Sequence, residues 1–289
     1  MAVYKRNYKA YTGPLTPEWT RLFAIPRQAW KGLFKQRFLT IFYVVCFFYP
    51  LGCAVAIYLN HNLSSFTQYI PIPLKSLFDV DGKFFLKFTN FQGVLAFILT
   101  ALVGPGLVSP DLTNGALPLY FCRPFSRVEY VIGKLMVLAG LLSYITWLPG
   151  ILLYGLQGSL EGWDWFVANA WLAWSTFVVS MIWILLLSMM ALALSAWVRW
   201  KIVAGALMLV VFFMGAGIAA TINNVMHTEN GSFLDLGSNL ERVATAMFAI
   251  ELPTEGLTLV DSLSALGAAI AICVFLLMRK VKAYEVVRS

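Results

Sequence analysis

From residue 165 to residue 198 the chain carries no charged side chain, and the same holds over 38–59, 92–108 and 202–222. Two further apolar stretches, 127–156 and 258–278, keep their charges near one end. Backbone N–H and C=O groups left unpaired in hydrocarbon cost several kcal/mol each, so stretches of this kind are stable in a bilayer only as helices or closed barrels. A span needs about 20 apolar residues, and each stretch is near that length or beyond it. Composition agrees: 60% of the residues are hydrophobic and 12% are charged, against about 25% charged in soluble domains, and the mean hydropathy is +0.76. The expected fold is an all-α membrane protein with six transmembrane helices at about 38–59, 92–108, 127–156, 168–198, 202–222 and 258–278. The fourth stretch, at about 34 residues, reaches roughly 51 Å at ~1.5 Å per residue. It must tilt, or leave its Trp-rich start (Trp165, Trp171, Trp174) at the interface.

Charge sets the expected orientation. With the N-terminus inside, the inner segments hold every basic residue of the 21 except Lys75, Lys83, Lys87 and Arg242. That asymmetry follows the positive-inside rule and places both termini, including the tail 279–289, in the cytoplasm. The net charge of +7 then reflects topology and contact with anionic lipid. Nucleic-acid binding would need an exposed basic domain, so no nucleic-acid partner is expected. Residues 1–37 are polar and basic without an early apolar core, so the first span is expected to stay as an anchor.

Local signals sharpen the layout. Thr16-Pro17 reads as N-cap and first helical position, and Pro26 reads as a break. Around it Trp19, Leu22, Phe23, Trp30, Leu33, Phe34 and Phe38 alternate with Arg21, Arg27, Lys31, Lys35 and Arg37. This predicts an amphipathic arm lying flat on the inner leaflet, the alternative being a disordered basic tail. Ser126 and Glu129 form an S-x-x-E capping box, and Thr258 with Asp261 a weaker T-x-x-D form. Ser238 and Glu241 predict an outer helix at about 239–251, stopped by Pro253 and Gly256 and able to dip into the outer membrane face through Leu240, Val243, Ala244, Met247 and Phe248. The first outer loop, 60–91, carries Phe78, Phe84, Phe85, Phe88 and Phe91, expected to rest on the interface.

Chemistry is sparse. There is no P-loop, no H-E-x-x-H and no G-x-S-x-G, so neither ATP binding nor catalysis is expected of this chain. His61 and His227 are read as loop residues. Cys46, Cys53, Cys122 and Cys273 lack metal-ligand spacing and read as apolar fillers. The spans hold essentially no buried acid of the kind an ion-coupled carrier uses; Asp111, Lys134, Arg199 and Lys201 are placed at inner ends, within reach of water. Neutral polar residues (Thr100, Ser143, Thr146, Ser175, Thr176, Ser180, Ser188, Ser195, Thr221) are expected to bond to their own helix or across helix contacts. Gly104-Pro105-Gly106 and Gly215-Ala216-Gly217 permit a kink, a hinge or close helix approach.

The polar insert 111–134, DLTNGALPLYFCRPFSRVEYVIGK, stands out between apolar neighbours. Ser109 and Pro110 read as N-cap and first position of a short helix. Gly115 and Pro118 limit it, and Leu112, Leu117, Leu119, Tyr120 and Phe121 form an apolar knob beside Arg123-Pro124. From the residues alone, the knob either fits a partner's groove or rests among lipid headgroups.

This run resembles the signature segment of the permeases of ATP-binding-cassette (ABC) type-2 exporters: an acid, then Gly, an aliphatic–aromatic knob, Arg-Pro, a second Arg and Gly-Lys, between spans 2 and 3. The resemblance extends to six spans, an N-terminal amphipathic elbow, cytoplasmic termini and an outer helical segment between spans 5 and 6; the longer, Phe-rich first outer loop departs from it. It implies a coupling helix that engages a separate cytoplasmic ATPase subunit, which binds the ATP and Mg, and a working unit of two permeases, identical or not, and two ATPases, in a bacterial inner membrane. By position, Asp111, Asn114, Gly115, Leu119, Tyr120, Arg123, Pro124 and Arg127 become the coupling residues. Phe97, Thr100, Met208, Phe212 and Met214 become candidates for a substrate path between spans 2 and 5. The implied activity is outward movement of an apolar or amphipathic cargo. A non-transporting scaffold that anchors a cytoplasmic partner through the same insert is the alternative.

Overall fold

The computed structural model describes residues 20–66, 80–121, 126–198, 200–251 and 257–281. Every regular element among them is helical. Six helical segments are long and apolar enough to cross a membrane: Arg37–Asn62, Gly82–Thr113, Arg127–Glu161, Ala170–Trp197, Lys201–Met226 and Leu259–Lys280, here spans 1 to 6. Span 4 is the centre. Of its most apolar stretch 61% is buried, against 17% for spans 1, 5 and 6, and it packs on spans 2, 3, 5 and 6. The main core gathers Leu138, Leu142, Ile184, Leu187 and Leu192, with Leu266 of span 6. The apolar faces of spans 1, 5 and 6 that remain exposed are those a bilayer would cover.

Several boundaries differ from the sequence expectation. Span 2 begins at Gly82, not near residue 92, because Asp81 caps it by accepting from the Phe84 N–H at 3.0 Å. Phe84, Phe85, Phe88 and Phe91 are therefore helical. Phe85 and Phe88 are fully buried in a second core with Ile57, Leu172 and Phe248, instead of resting on the interface; Phe91 stacks on Tyr49 with ring centroids 4.0 Å apart. Phe78 lies outside the described residues. His61 is likewise on a helix, Phe48–Phe66, with its Nδ1 3.8 Å from Glu161 Oε1. His227 ends span 5 in the left-handed region, φ 49°.

Span 2 also runs past residue 108. It breaks after Val103 and restarts as Pro105–Thr113. Ser109 and Pro110 thus lie inside a helix and do not open one. Ser195 of span 4 explains the restart. Its hydroxyl donates to Pro105 O at 2.7 Å and accepts from the N–H groups of Ser109 and Val108 at 2.9 and 3.3 Å. A side chain inserted into the helical ladder is one of the physical causes of a kink. Gly104 allows the approach, since a Cβ there would stand 2.5 Å from the Ala191 Cβ. Span 3 also breaks, at Thr146, between Arg127–Ile145 and Trp147–Glu161, but for a different reason: Pro149 cannot donate to the Ile145 carbonyl. Of the Trp-rich start of the fourth stretch, Trp165 lies on a separate helix, Trp163–Ala168, whereas Trp171 and Trp174 belong to span 4 proper, which begins at Ala170.

Two helices flank the bundle. The arm helix, Thr20–Leu33, contains Pro26 without breaking. It packs along span 3, where Trp30 Nε1 donates to Val137 O at 3.0 Å, and Gly140 lies so close to the Trp30 ring that a Cβ would overlap it. Thr16 and Pro17 lie outside the described residues. The rim helix, Leu236–Met247, starts three residues before its expected position: Asp235, not Ser238, is the cap, accepting from the Ser238 N–H at 3.0 Å. Val243, Ala244 and the following Phe248 are buried, and Met247 O accepts from Ser175 Oγ at 2.7 Å. The rim helix thus closes one end of the bundle by packing on spans 4, 5 and 6. Pro253 and Gly256 lie outside the described residues.

Both capping boxes are present, Ser126 with Glu129 at span 3 and Thr258 with Asp261 at span 6. Thr100, Thr146, Thr176 and Thr221 bond to their own helices, whereas Ser175 and Ser195 cross between elements.

Candidate functional site

The segment between spans 2 and 3 is built around one carboxylate. Asp111 lies in the last turns of Pro105–Thr113. Its Oδ2 is 2.7 Å from Lys134 Nζ and accepts from Tyr130 OH at 2.8 Å. Tyr130 and Lys134 are four residues apart on span 3, hence on one face, and Lys134 Nζ also lies 5.4 Å from the Tyr130 ring centroid. Tyr130 is fully buried and Lys134 is 7% exposed. The expectation that Lys134 reaches water at a helix end is therefore overturned. Its ammonium is held inside because Asp111 neutralises it and Tyr130 supplies a second polar contact to the carboxylate. Removing one member of a buried pair costs about 3–5 kcal/mol, because a desolvated charge is left behind.

The chain leaves this cluster through Asn114, both exposed and C-terminal cap, and Gly115, whose φ of +63° is the left-handed turn that glycine adopts without strain. A one-turn helix, Leu117–Phe121, follows. The knob is less displayed than expected. Leu117 is buried, and Tyr120 turns inward, its ring 5.4 Å from that of Tyr130 in an edge contact. Burial, and then the negative charge of Asp111, push the Tyr120 phenol above its ordinary value. Arg127 is exposed at the start of span 3. The Leu119 side chain, Arg123 and Pro124 lie outside the described residues. Of the expected coupling residues, the structure brings Asp111 and Tyr120 together and leaves Asn114, Gly115 and Arg127 on the surface around them. Tyr130 and Lys134 complete the cluster without having been singled out as its centre. The available signal was their four-residue spacing behind the Ser126 cap.

The substrate-path candidates separate into three settings. Phe97 and Phe212 line a cavity of ≈ 360 Å³ between spans 2, 4 and 5 and the rim helix. Thr100 and Met208 are fully buried packing residues, Thr100 donating to Ala96 O at 2.7 Å. Met214 is exposed on the outward face of span 5, in a shallow groove with Leu209, Phe213 and Ile218. Among the described residues no three His, Cys, Asp or Glu side chains cluster as a metal site; Cys46 and Cys53 are buried. Compared with known proteins, the chain matches no protein-family model and no curated protein sequence.

Proposed function

We propose that the chain is the membrane-spanning permease subunit of a type-2 ABC exporter. A separate ATPase subunit binds ATP and Mg and presses on the segment between spans 2 and 3, and the movement drives an apolar or amphipathic cargo outward. In this reading the bundle end that carries Asp111 faces the cytoplasm, with both chain termini, and a second permease copy, identical or different, completes the unit in a bacterial inner membrane. The chain performs no catalysis of its own.

The observation that supports the reading is the Asp111–Lys134–Tyr130 cluster. A force applied around Asn114 and the Leu117–Phe121 turn does not dissipate in a loose loop. It passes to span 2 through Asp111 and to span 3 through the Tyr120–Tyr130 contact, so the two span ends move as one body. The next joint along span 2 is Gly104-Pro105, where Ser195 joins it to the central span 4. Packed helices of this kind switch between discrete arrangements and do not deform continuously.

The test is co-purification with an ATPase encoded beside this gene. Tyr120 belongs to the packed cluster, so the exposed Asn114 and Arg127 are the sharper probes. Changing Asn114→Ala together with Arg127→Glu is expected to lower both association and ATPase stimulation while the spans stay folded. Unchanged association and stimulation would overturn the coupling assignment. Association without ATP-driven transport would favour a scaffold that anchors a cytoplasmic partner.

A further inference from the structure

We infer that the cavity between spans 2, 4 and 5 and the rim helix binds a lipophilic organic cation. The inference deepens the transport reading by giving its cargo a chemical class, but it stands on the cavity alone. At ≈ 360 Å³ the space falls within the ~300–1,000 Å³ of small-molecule sites.

Its deeper wall is aromatic. Phe97 and Phe212 have ring centroids 4.7 Å apart, Trp183 and Phe212 5.8 Å, and Phe97 and Phe213 6.3 Å. The Trp183 indole is fixed in place, because its Nε1 donates to Gly93 O at 2.9 Å. Aromatic faces carry negative potential and attract cations, organic ammonium groups included. A fixed ring costs no further ordering when a ligand arrives.

Polarity is confined to part of the lining. Thr89 and Asn90 on span 2 and Glu241 on the rim helix contribute to it. Glu241 is the one charged side chain of the lining. Glu241 is exposed at the cavity's edge, and the Thr89 hydroxyl is buried with no partner among the described residues. Lys87 stands about one helical turn before Asn90 and is not part of the lining. The electrostatic arrangement therefore complements a positive charge and opposes an anionic one. Entry is lateral: Val94 and Phe213 line the cavity and are also exposed on the apolar surface of the bundle. A ligand dissolved in the membrane can pass between spans 2 and 5, place its charge near Glu241 and the ring faces, and keep its apolar body against Val94 and Phe213.

The experiment compares two probes of matched shape and opposite charge, tetraphenylphosphonium and tetraphenylborate. Equilibrium binding is measured on the full chain in lipid nanodiscs, with nanodiscs lacking protein as the background. Saturable binding of the phosphonium alone is expected, weakened roughly tenfold by Glu241→Gln, the equivalent of ~1.4 kcal/mol, and weakened also by Phe213→Ala. Both residues are exposed, so neither change threatens the fold. The inference is overturned if the phosphonium shows no saturable binding, if the borate binds as well, or if Glu241→Gln leaves the affinity unchanged. No ATPase is needed, so failure here leaves the association test of the transport reading untouched.

Discussion

The Lys134 ammonium lies 2.7 Å from the Asp111 carboxylate and joins the beginning of span 3 to the end of span 2. Lys134 is 7% exposed and the Asp111 side chain 18%, so the pair is largely withdrawn from water and its worth depends on both members being present. Such a pair adds little net stability over an apolar replacement, but it penalises strongly any arrangement that separates the charges. That property holds the two span ends to one another.

Loss of one partner is therefore expected to cost more than loss of both. Asp111→Ala or Lys134→Ala should destabilise the protein by about 3 kcal/mol, and the double change Asp111→Leu with Lys134→Met by clearly less. Thermal unfolding of the purified single and double variants checks the ordering. A double change that costs as much as the two single changes added together would show that the pair is not coupled.

Ser195→Ala removes the donor to Pro105 O and the acceptor for Val108 and Ser109 N–H. All of these groups are buried, so the expected cost is about 1–3 kcal/mol. Gly104→Leu should be worse, because its Cβ already conflicts with Ala191. Hydrogen exchange is the readout: faster exchange confined to the amides around residues 104–109 places the effect at the joint and not across the fold.

The Tyr120 phenol is raised in the folded state, first by burial and then by Asp111. A raised acid keeps its proton in the folded state at a pH where the unfolded chain has lost it. Its contribution is thus fully present below the ordinary phenol value of about 10 and is lost as pH rises from there through the raised value. Stability of the wild type should fall more steeply than that of Tyr120→Phe above pH ~10. Unfolding midpoints of the two proteins measured between pH 8 and 11 test this, and parallel curves would contradict it.

Trp30 anchors the arm helix to span 3 through its bond to Val137 O and its contact with Gly140. Trp30→Ala loses a hydrogen bond of about 1 kcal/mol and the packing of a large ring. Tryptic cleavage at Arg27 and Lys31 should accelerate at least about tenfold, with the spans intact on the gel. Gly140→Val should release the arm by the opposite route, overlap in place of lost contact.

Six apolar spans and both capping boxes are legible in the sequence, because each rests on local physics: apolar length free of charge, and an N-cap three residues from its acid. Span 2 starts before the point that hydropathy indicates, because Lys83 and Lys87 lower the hydropathy of a stretch that Asp81 nonetheless caps. Pro26 read as a break because its missing N–H is visible in sequence, whereas the packing of Trp30 on span 3 that sustains the helix around it is not. Ser109-Pro110 read as a helix opening for the same reason: the side chain that sets the start at Pro105 belongs to Ser195, on another span.

The sequence by itself determined that this chain crosses a membrane as helices, since unpaired backbone groups and charges are costly there whatever the packing. Only the tertiary structure decided where the rare polar groups meet. Asp111 finds Lys134 and Tyr130 across a turn, Ser195 enters the joint of span 2, and Glu241 comes to line an aromatic cavity with Phe97 and Trp183. Those meetings are set by the packing of helix faces distant in sequence, and hydropathy, which averages over every face of a helix, carries no record of them.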